Sequence, residues 1–97
     1  MDINDILTHL GEDRSKYFNA VAPPIIQSSN FVFDTVEDMR IAFANELEHH
    51  IYTRGNNPTV AILRQKLAAL EHTEDAMVVG SGAAAVSASV ISNVKSG

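Results

Sequence analysis

The chain has 97 residues, of which 45% are hydrophobic, and its 7 basic and 12 acidic residues give a net charge of −5. This length suits one small domain, and the composition is that of a folded protein rather than a disordered one. The absence of cysteine excludes a disulfide framework and a thiolate metal site. Without a basic stripe, nucleic acid is not an expected partner. The acidic N-terminus lacks a signal-peptide pattern and no apolar run is long enough to span a membrane, so we expect a cytoplasmic protein.

The first half of the chain is predicted to hold two helices joined by an extended arm. The first helix is expected over residues 2–10, where apolar side chains recur on one face. Residues 12–34 show no regular pattern, and two successive prolines force extended geometry there. The second helix is expected over residues 35–49, with Thr35 as its N-cap. Because the arm is apolar without a sheet pattern of its own, we expect it to pack on another protein surface.

The second half of the chain predicts a helix, a strand, a turn and another helix. Asn57 and Pro58 provide an N-cap and a first-turn proline for a helix reaching Glu71. The apolar run Ala76–Val79 predicts a buried strand, and the last helix is expected over residues 83–96. This order is typical of an α/β domain with a parallel sheet, but one strand cannot close a sheet, so we interpret the chain as truncated. The apolar stripe expected to be buried on the helix after Asn57 consists of Val60, Leu63, Leu67 and Leu70.

The small-residue turn at 80–85, Gly-Ser-Gly-Ala-Ala-Ala, opens the last helix. A helix N-terminus presents unpaired N–H groups and favours an anion, and Gly82 lets a phosphate approach the backbone, with Ser81 as a further donor. A tight turn that needs glycine for geometry alone explains the same residues equally well. The turn also matches the dinucleotide fingerprint G-x-G-x-x-A, so a Rossmann-like module is an alternative.

A phenol and a guanidinium, Tyr52 and Arg54, lie two residues apart just before the helix at Pro58. In an extended loop such residues point the same way, so both could bind one anion, with arginine supplying a bidentate contact. A surface arginine beside a half-buried tyrosine is the plainer explanation. The four histidines do not have metal-ligand spacing, and no metal site is predicted.

Four segments, taken in order, resemble signatures of the Cys/Met-metabolism family of pyridoxal-phosphate (PLP) enzymes. Residues 52–59, Tyr-Thr-Arg-Gly-Asn-Asn-Pro-Thr, resemble the family's Tyr-Ser-Arg-x-x-Asn-Pro-Thr. Residues 22–31 resemble its Pro-Pro-Ile-Tyr-Gln-Thr-Ser-Thr-Phe segment, with isoleucine in place of tyrosine at 26. Residues 67–71 match Leu-Ala-x-Leu-Glu, and residues 80–85 stand for Ser-Ser-Gly-Met-Ala-Ala, with alanine in place of methionine at 83.

The resemblance implies the N-terminal part of a fold-type-I, aspartate-aminotransferase-like enzyme, mostly helical, with an extended arm and one strand of a larger sheet. Residues 1–57 would be helices and an arm packing on a partner subunit, and residues 58–97 would begin the large PLP-binding domain. Ser81, Gly82 and Ala83 would bind the PLP phosphate of their own subunit. Tyr52 and Arg54 would reach the phosphate of the neighbouring subunit, and Tyr52 would also lie near the substrate's amino group.

The implied reaction is β- or γ-elimination, or γ-replacement, on a sulfur amino acid such as cystathionine, methionine or an O-acyl-homoserine. The implied assembly is a dimer of identical subunits with shared active sites, within a tetramer. The Schiff-base lysine of the family is not in this chain, because Lys16, Lys66 and Lys95 match no family position. We therefore expect the 97 residues alone to be inactive. A fragment that binds other proteins without catalysis is the remaining alternative.

Overall fold

The computed structural model describes residues 1–97 and contains four α-helices and two short 3₁₀ helices. The elements, in chain order, are α1 (Ile3–Thr8), a 3₁₀ helix (Arg14–Tyr17), α2 (Val36–Ala44), a 3₁₀ helix (Glu46–Glu48), α3 (Pro58–Glu71) and α4 (Gly82–Ile91). The only strand-type pairing is an isolated antiparallel bridge between Asn30 and Tyr52. None of the helices combines the length and apolarity needed to cross a bilayer.

Helix α3 begins and ends at the residues that the sequence predicts. The Asn57 side chain accepts a hydrogen bond from the Thr59 N–H at 2.8 Å, and Pro58 occupies the first turn, where its missing N–H costs nothing. At the other end His72 takes the left-handed conformation, with φ of 57°, and its N–H returns to carbonyls of the last turn. Glycine normally fills this position, so the sequence did not indicate a histidine cap.

Helix α2 is shorter than expected. Its N-cap is confirmed, because the Thr35 hydroxyl accepts from the Asp38 N–H at 3.0 Å. The helix ends at Ala44 rather than at residue 49, because Asn45 leaves helical geometry while its side chain donates to the Ile41 carbonyl at 3.2 Å. An asparagine that bonds to the local backbone offers the chain an alternative to the helix.

Helix α1 packs on α3 through one buried apolar side chain and a charged contact. Ile6 is buried, whereas Ile3 and Leu7 on the same predicted face remain more than half exposed. The Lys66 ammonium of α3 donates to the Leu7 carbonyl at 2.7 Å and to the Glu12 carboxylate. The hydrogen bond from Lys66 holds the pKa of Glu12 below its usual value of 4.5, against the opposing effect of desolvation. This contact fixes the N-terminal segment against α3.

The strand predicted at Ala76–Val79 is not formed as a paired strand. The segment has no secondary structure, because no neighbouring strand among the 97 residues offers a ladder of hydrogen bonds. Helix α4 also differs from expectation, since it ends at Ile91 rather than at residue 96. The Asn93 amide donates to the Ser89 carbonyl at 2.7 Å and competes with continuation of the helix.

The chain has almost no hydrophobic core of its own. Of the apolar residues, only Ile6, Ala42 and Ala68 are buried. The prediction of a buried stripe on α3 is wrong, because Val60, Leu63 and Leu67 are each more than a third exposed. The Cα radius of gyration is 16.0 Å, whereas a compact domain of this length has about 12–13 Å. Without a covering layer, the apolar faces of α3 and α4 remain open.

Candidate functional site

Tyr52 and Arg54 lie together on the loop that precedes α3. The guanidinium carbon of Arg54 lies 5.1 Å from the centre of the Tyr52 ring, a cation–π contact that orients the arginine. All hydrogen bonds from arginine side chains in the structure come from Arg14 and Arg64. The donors of Arg54 are therefore free, and Tyr52 is 44% exposed beside it. The two side chains are thus in contact with each other and accessible, while their binding of an anion stays a prediction.

The turn at the start of α4 presents two unpaired backbone donors. Ser81 is the N-cap of the helix, and its hydroxyl accepts from the Ala84 N–H at 3.1 Å. The amides of Gly82 and Ala83 have no acceptor within the chain. A Cβ atom built on Gly82 would meet nothing within 4 Å, so the backbone is open to an incoming group. The turn therefore has the features of an anion site at a helix N-terminus.

The structure does not bring these two groups of donors into one pocket. Arg54 lines a groove of about 600 Å³ between the loop, the start of α3 and the segment at 75–78. Tyr52 lines a smaller adjoining groove, and the turn formed by Ser81, Gly82 and Ala83 lines none of the principal grooves. Within one chain, the two groups of donors do not line a common groove.

A second arginine shapes the groove beside Arg54. The Arg64 guanidinium lies 2.5 Å from the Asp75 carboxylate and also donates to the Ala76 carbonyl at 2.8 Å. The Ala76 N–H, and then Arg64, bond to the Asp75 carboxylate and lower the pKa of that carboxyl. The sequence did not predict this contact of Arg64 with Asp75 and Ala76, called the Arg64 clamp below. The two charges are 11 residues apart, with a turn between them. The Arg64 clamp fixes the start of the segment that leads to Gly80.

Sequence reasoning also missed how the arm is held against the Tyr52–Arg54 loop. Asn57 was identified only as a helix cap, yet its amide also donates to the Ile26 carbonyl at 3.0 Å. The Ile26 N–H in turn donates to the Thr59 hydroxyl at 2.9 Å. No local sequence signal reveals this contact, because Ile26 and Thr59 lie 33 residues apart.

The histidines have structural partners rather than metal-binding geometry. His50 packs against Phe31, with 5.7 Å between ring centres, and His49 hydrogen-bonds the Asn45 carbonyl at 3.0 Å. No cluster of three or more histidine, cysteine, aspartate or glutamate side chains is arranged to hold a metal ion.

This chain is similar in sequence to two L-methionine gamma-lyases and to an O-succinylhomoserine sulfhydrylase. It is 44% identical over 89 residues to an L-methionine gamma-lyase of Treponema denticola, which covers 92% of this chain and 22% of the relative. It is also 44% identical over 80 residues to an L-methionine gamma-lyase of Porphyromonas gingivalis, covering 82% of this chain and 20% of the relative. An O-succinylhomoserine sulfhydrylase of Pseudomonas aeruginosa is 38% identical over 73 residues, covering 75% of this chain and 18% of the relative.

The chain thus spans about a fifth of the length of the relatives it matches. The model of the family described as "Cys/Met metabolism PLP-dependent enzyme" matches residues 4–97, nearly the whole chain. The match includes the Tyr52–Arg54 loop, the arm and the turn at Gly82. The chain therefore belongs to the family of Cys/Met-metabolism PLP-dependent enzymes.

Proposed function

We propose that these residues form the N-terminal part of a PLP-dependent enzyme that performs elimination or replacement on a sulfur amino acid. The observation that carries the proposal is the unpaired, ring-oriented Arg54, which lies in the family's Tyr-x-Arg signature with all its donors available. The names of the relatives, L-methionine gamma-lyase and O-succinylhomoserine sulfhydrylase, support a sulfur-containing or homoserine-derived substrate. The fold of the whole enzyme would be that of fold-type-I PLP proteins.

The residues at the turn fit one end of PLP, its phosphate. Gly82 and Ala83 offer two unpaired amides at a helix N-terminus, and an open backbone lets phosphate oxygens approach them. The Ser81 hydroxyl accepts from Ala84 yet keeps its own hydrogen, which it can donate to the phosphate. When bound, PLP supplies an electron sink for the carbanion formed at the substrate's α-carbon. Ser81, Gly82 and Ala83 would hold the cofactor in place for that chemistry.

Tyr52 and Arg54 are proposed to complete the phosphate site of a neighbouring subunit. Their loop and the turn at Gly82 do not line a common groove within one chain, which supports a contribution across an interface. A guanidinium can bind a phosphate in a bidentate manner, and the Tyr52 ring already holds it in one orientation. The Tyr52 hydroxyl would lie near the substrate's amino group, where it can accept or donate a hydrogen bond.

The exposed apolar surface supports an assembly of identical subunits. The arm carries large side chains in water, with Val32 97% and Phe18 fully exposed. We propose that residues 1–57 pack on a partner subunit in a dimer with shared active sites, and that dimers pair into a tetramer. Residues 58–97 would begin the PLP-binding domain, with Ala76–Val79 pairing as one strand of its sheet. We propose a cytoplasmic location for this enzyme.

The test uses the full-length protein that contains these residues. We expect it to copurify with, or take up, stoichiometric PLP and to show the visible absorption of a lysine adduct. Steady-state assays should then compare 2-oxobutanoate release from L-methionine with sulfide-dependent replacement on O-acetyl- and O-succinyl-homoserine. Turnover of either class supports the proposal and identifies the reaction. Tight NAD binding without PLP binding would instead support the dinucleotide-binding alternative and refute the proposal.

A further inference from the structure

Asn57 is the one polar residue in the structure that is buried, at 4% exposure. Its side chain makes three hydrogen bonds. The oxygen accepts from the Thr59 N–H at 2.8 Å, and the nitrogen donates to the Ile26 carbonyl and the Thr53 hydroxyl, each at 3.0 Å. Helix capping uses only the first of these, and serine, threonine or aspartate would provide it equally well. The two donated bonds require an amide.

The partners of Asn57 lie on three different segments. Ile26 belongs to the arm, Thr53 to the loop between Tyr52 and Arg54, and Thr59 to the first turn of α3. The Thr53 hydroxyl in turn donates a hydrogen bond to the Ser28 carbonyl. The Thr53 N–H donates to the Ser29 carbonyl at 2.9 Å. Asn57 is thus the point at which arm, loop and helix meet.

Thr53 sits between the two residues that we propose contact phosphate. Its backbone and its side chain are both bonded to the arm, so the path of the loop is fixed at that residue. Tyr52 adds a bridge to Asn30 of the arm, and the Gly55 N–H closes a turn on the Tyr52 carbonyl at 2.9 Å. Because Arg54 itself makes no hydrogen bond within the chain, its placement depends on this backbone and on the Tyr52 ring.

We propose that Asn57 is a positioning residue that sets the Tyr52–Arg54 loop against the arm, and so controls phosphate binding by Arg54 without touching the phosphate. This inference rests on the proposed function, in which Arg54 binds the phosphate of PLP. Loss of the two donated bonds releases the loop and lets Arg54 sample positions that do not reach the ligand. Preorganised groups bind more tightly because less motion is lost on binding.

The test is a double-mutant cycle in the full-length protein, with Asn57→Ser and Arg54→Ala. Serine keeps a neutral N-cap for α3 but cannot reach both acceptors of the amide. Titrating the apo-protein with PLP, we expect Asn57→Ser to raise the Kd by roughly 3- to 30-fold, the effect of about one or two neutral hydrogen bonds. In the Arg54→Ala background, the same change should alter the Kd less than about twofold, because coupled residues are non-additive.

A second readout does not depend on the cofactor. Hydrogen exchange of the Thr53 amide in the apo-protein should accelerate by about tenfold in Asn57→Ser, if opening of the loop becomes easier by one hydrogen bond. Two controls separate positioning from general stability. Asn56→Ala removes a neighbouring amide that donates to the His49 carbonyl at 3.3 Å, and Thr35→Ala removes the N-cap of α2. Neither should change the Kd for PLP.

The outcomes are distinct. Equal weakening of PLP binding by Asn57→Ser in both backgrounds means that Asn57 acts only through overall stability, and overturns the positioning role. The same conclusion follows if Arg54→Ala weakens binding while Asn57→Ser changes neither the Kd nor Thr53 exchange. If Arg54→Ala itself leaves the Kd unchanged, the proposed phosphate contact is wrong and the role of Asn57 fails with it.

Discussion

Replacing Arg54 with alanine should weaken the cofactor site while leaving the fold intact. The guanidinium donates to no group within the chain, so the substitution removes only the contact with the Tyr52 ring. Such an exposed cation–π contact is worth about 0.5–1 kcal/mol. An arginine–phosphate contact is worth about 1.5–3 kcal/mol, so the affinity for PLP should fall roughly tenfold to a hundredfold. The loss of affinity therefore exceeds the loss of stability.

The assay is PLP titration of the apo-protein, followed by thermal unfolding of the same sample without cofactor. Arg40→Ala is the matched control, because Arg40 is another exposed arginine, on α2, whose side chain has no partner in the chain. It should leave the Kd for PLP unchanged. Arg54→Lys should restore little affinity, because a point charge lacks the planar fork of a guanidinium. An unchanged Kd in Arg54→Ala would refute the phosphate contact.

Mixing two impaired variants tests whether Arg54 acts across the subunit interface. One subunit carries Arg54→Ala, and the other lacks the Schiff-base lysine. A mixed dimer then contains one site with both an intact lysine and an intact arginine, donated by different chains. Activity should rise on mixing towards half of the wild-type value per mixed dimer. If mixed dimers form and activity stays at the level of the separate variants, Arg54 acts within its own subunit.

Three further outcomes follow from the structure. Gly82→Val should weaken PLP binding without lowering stability much, because a Cβ atom at this position meets no other atom within 4 Å, while the branched side chain blocks the approach to the backbone; titration and thermal unfolding measure both. Glu12 has a lowered folded pKa, so its bond with Lys66 stabilises the protein above pH 4.5 and is lost as the pH falls through the folded pKa; the difference in free energy of unfolding between the wild type and Glu12→Gln should therefore shrink in acid. The isolated 97-residue chain should show no sharp thermal transition by calorimetry, because only four residues are buried.

Features set by neighbouring residues were predictable from the sequence. The caps at Thr35 and Asn57 depend on side chains two or three positions from their partners, and both formed as expected. Helix ends governed by competing side-chain bonds were predicted less well, as at Asn45, which shortened α2. The strand at Ala76–Val79 required a partner that no other residue of the chain provides. The apolar pattern of this segment is that of a strand inside a sheet, and the 97 residues provide no second strand to pair with it.

The candidate site likewise contains residues that the sequence predicted and contacts that it did not predict. The residue types of Tyr52, Arg54 and Gly82 were identified from motifs, and the structure shows their donors unpaired. The long-range bonds that hold the loop were not predictable, since the contact of Ile26 with Thr59 spans 33 residues and that of Thr53 with Ser28 spans 25. Periodicity and capping rules describe neighbours along the chain and carry no information about such pairs.

The arginines show why an unpaired charge alone does not identify a binding site. Arg14 and Arg64 form hydrogen bonds and ion pairs with carbonyls and carboxylates of this chain, and these contacts stabilise its structure. Arg40 and Arg54 are both free, but only Arg54 has an aromatic ring that orients it and a backbone held next to it by the arm. A side chain without an orienting contact must lose its own motion before it binds a ligand, whereas one that is held by a ring on a hydrogen-bonded loop has lost much of that motion already. The distinction between these two residues thus lies in what surrounds them, and it predicts that only Arg54 contributes to phosphate affinity.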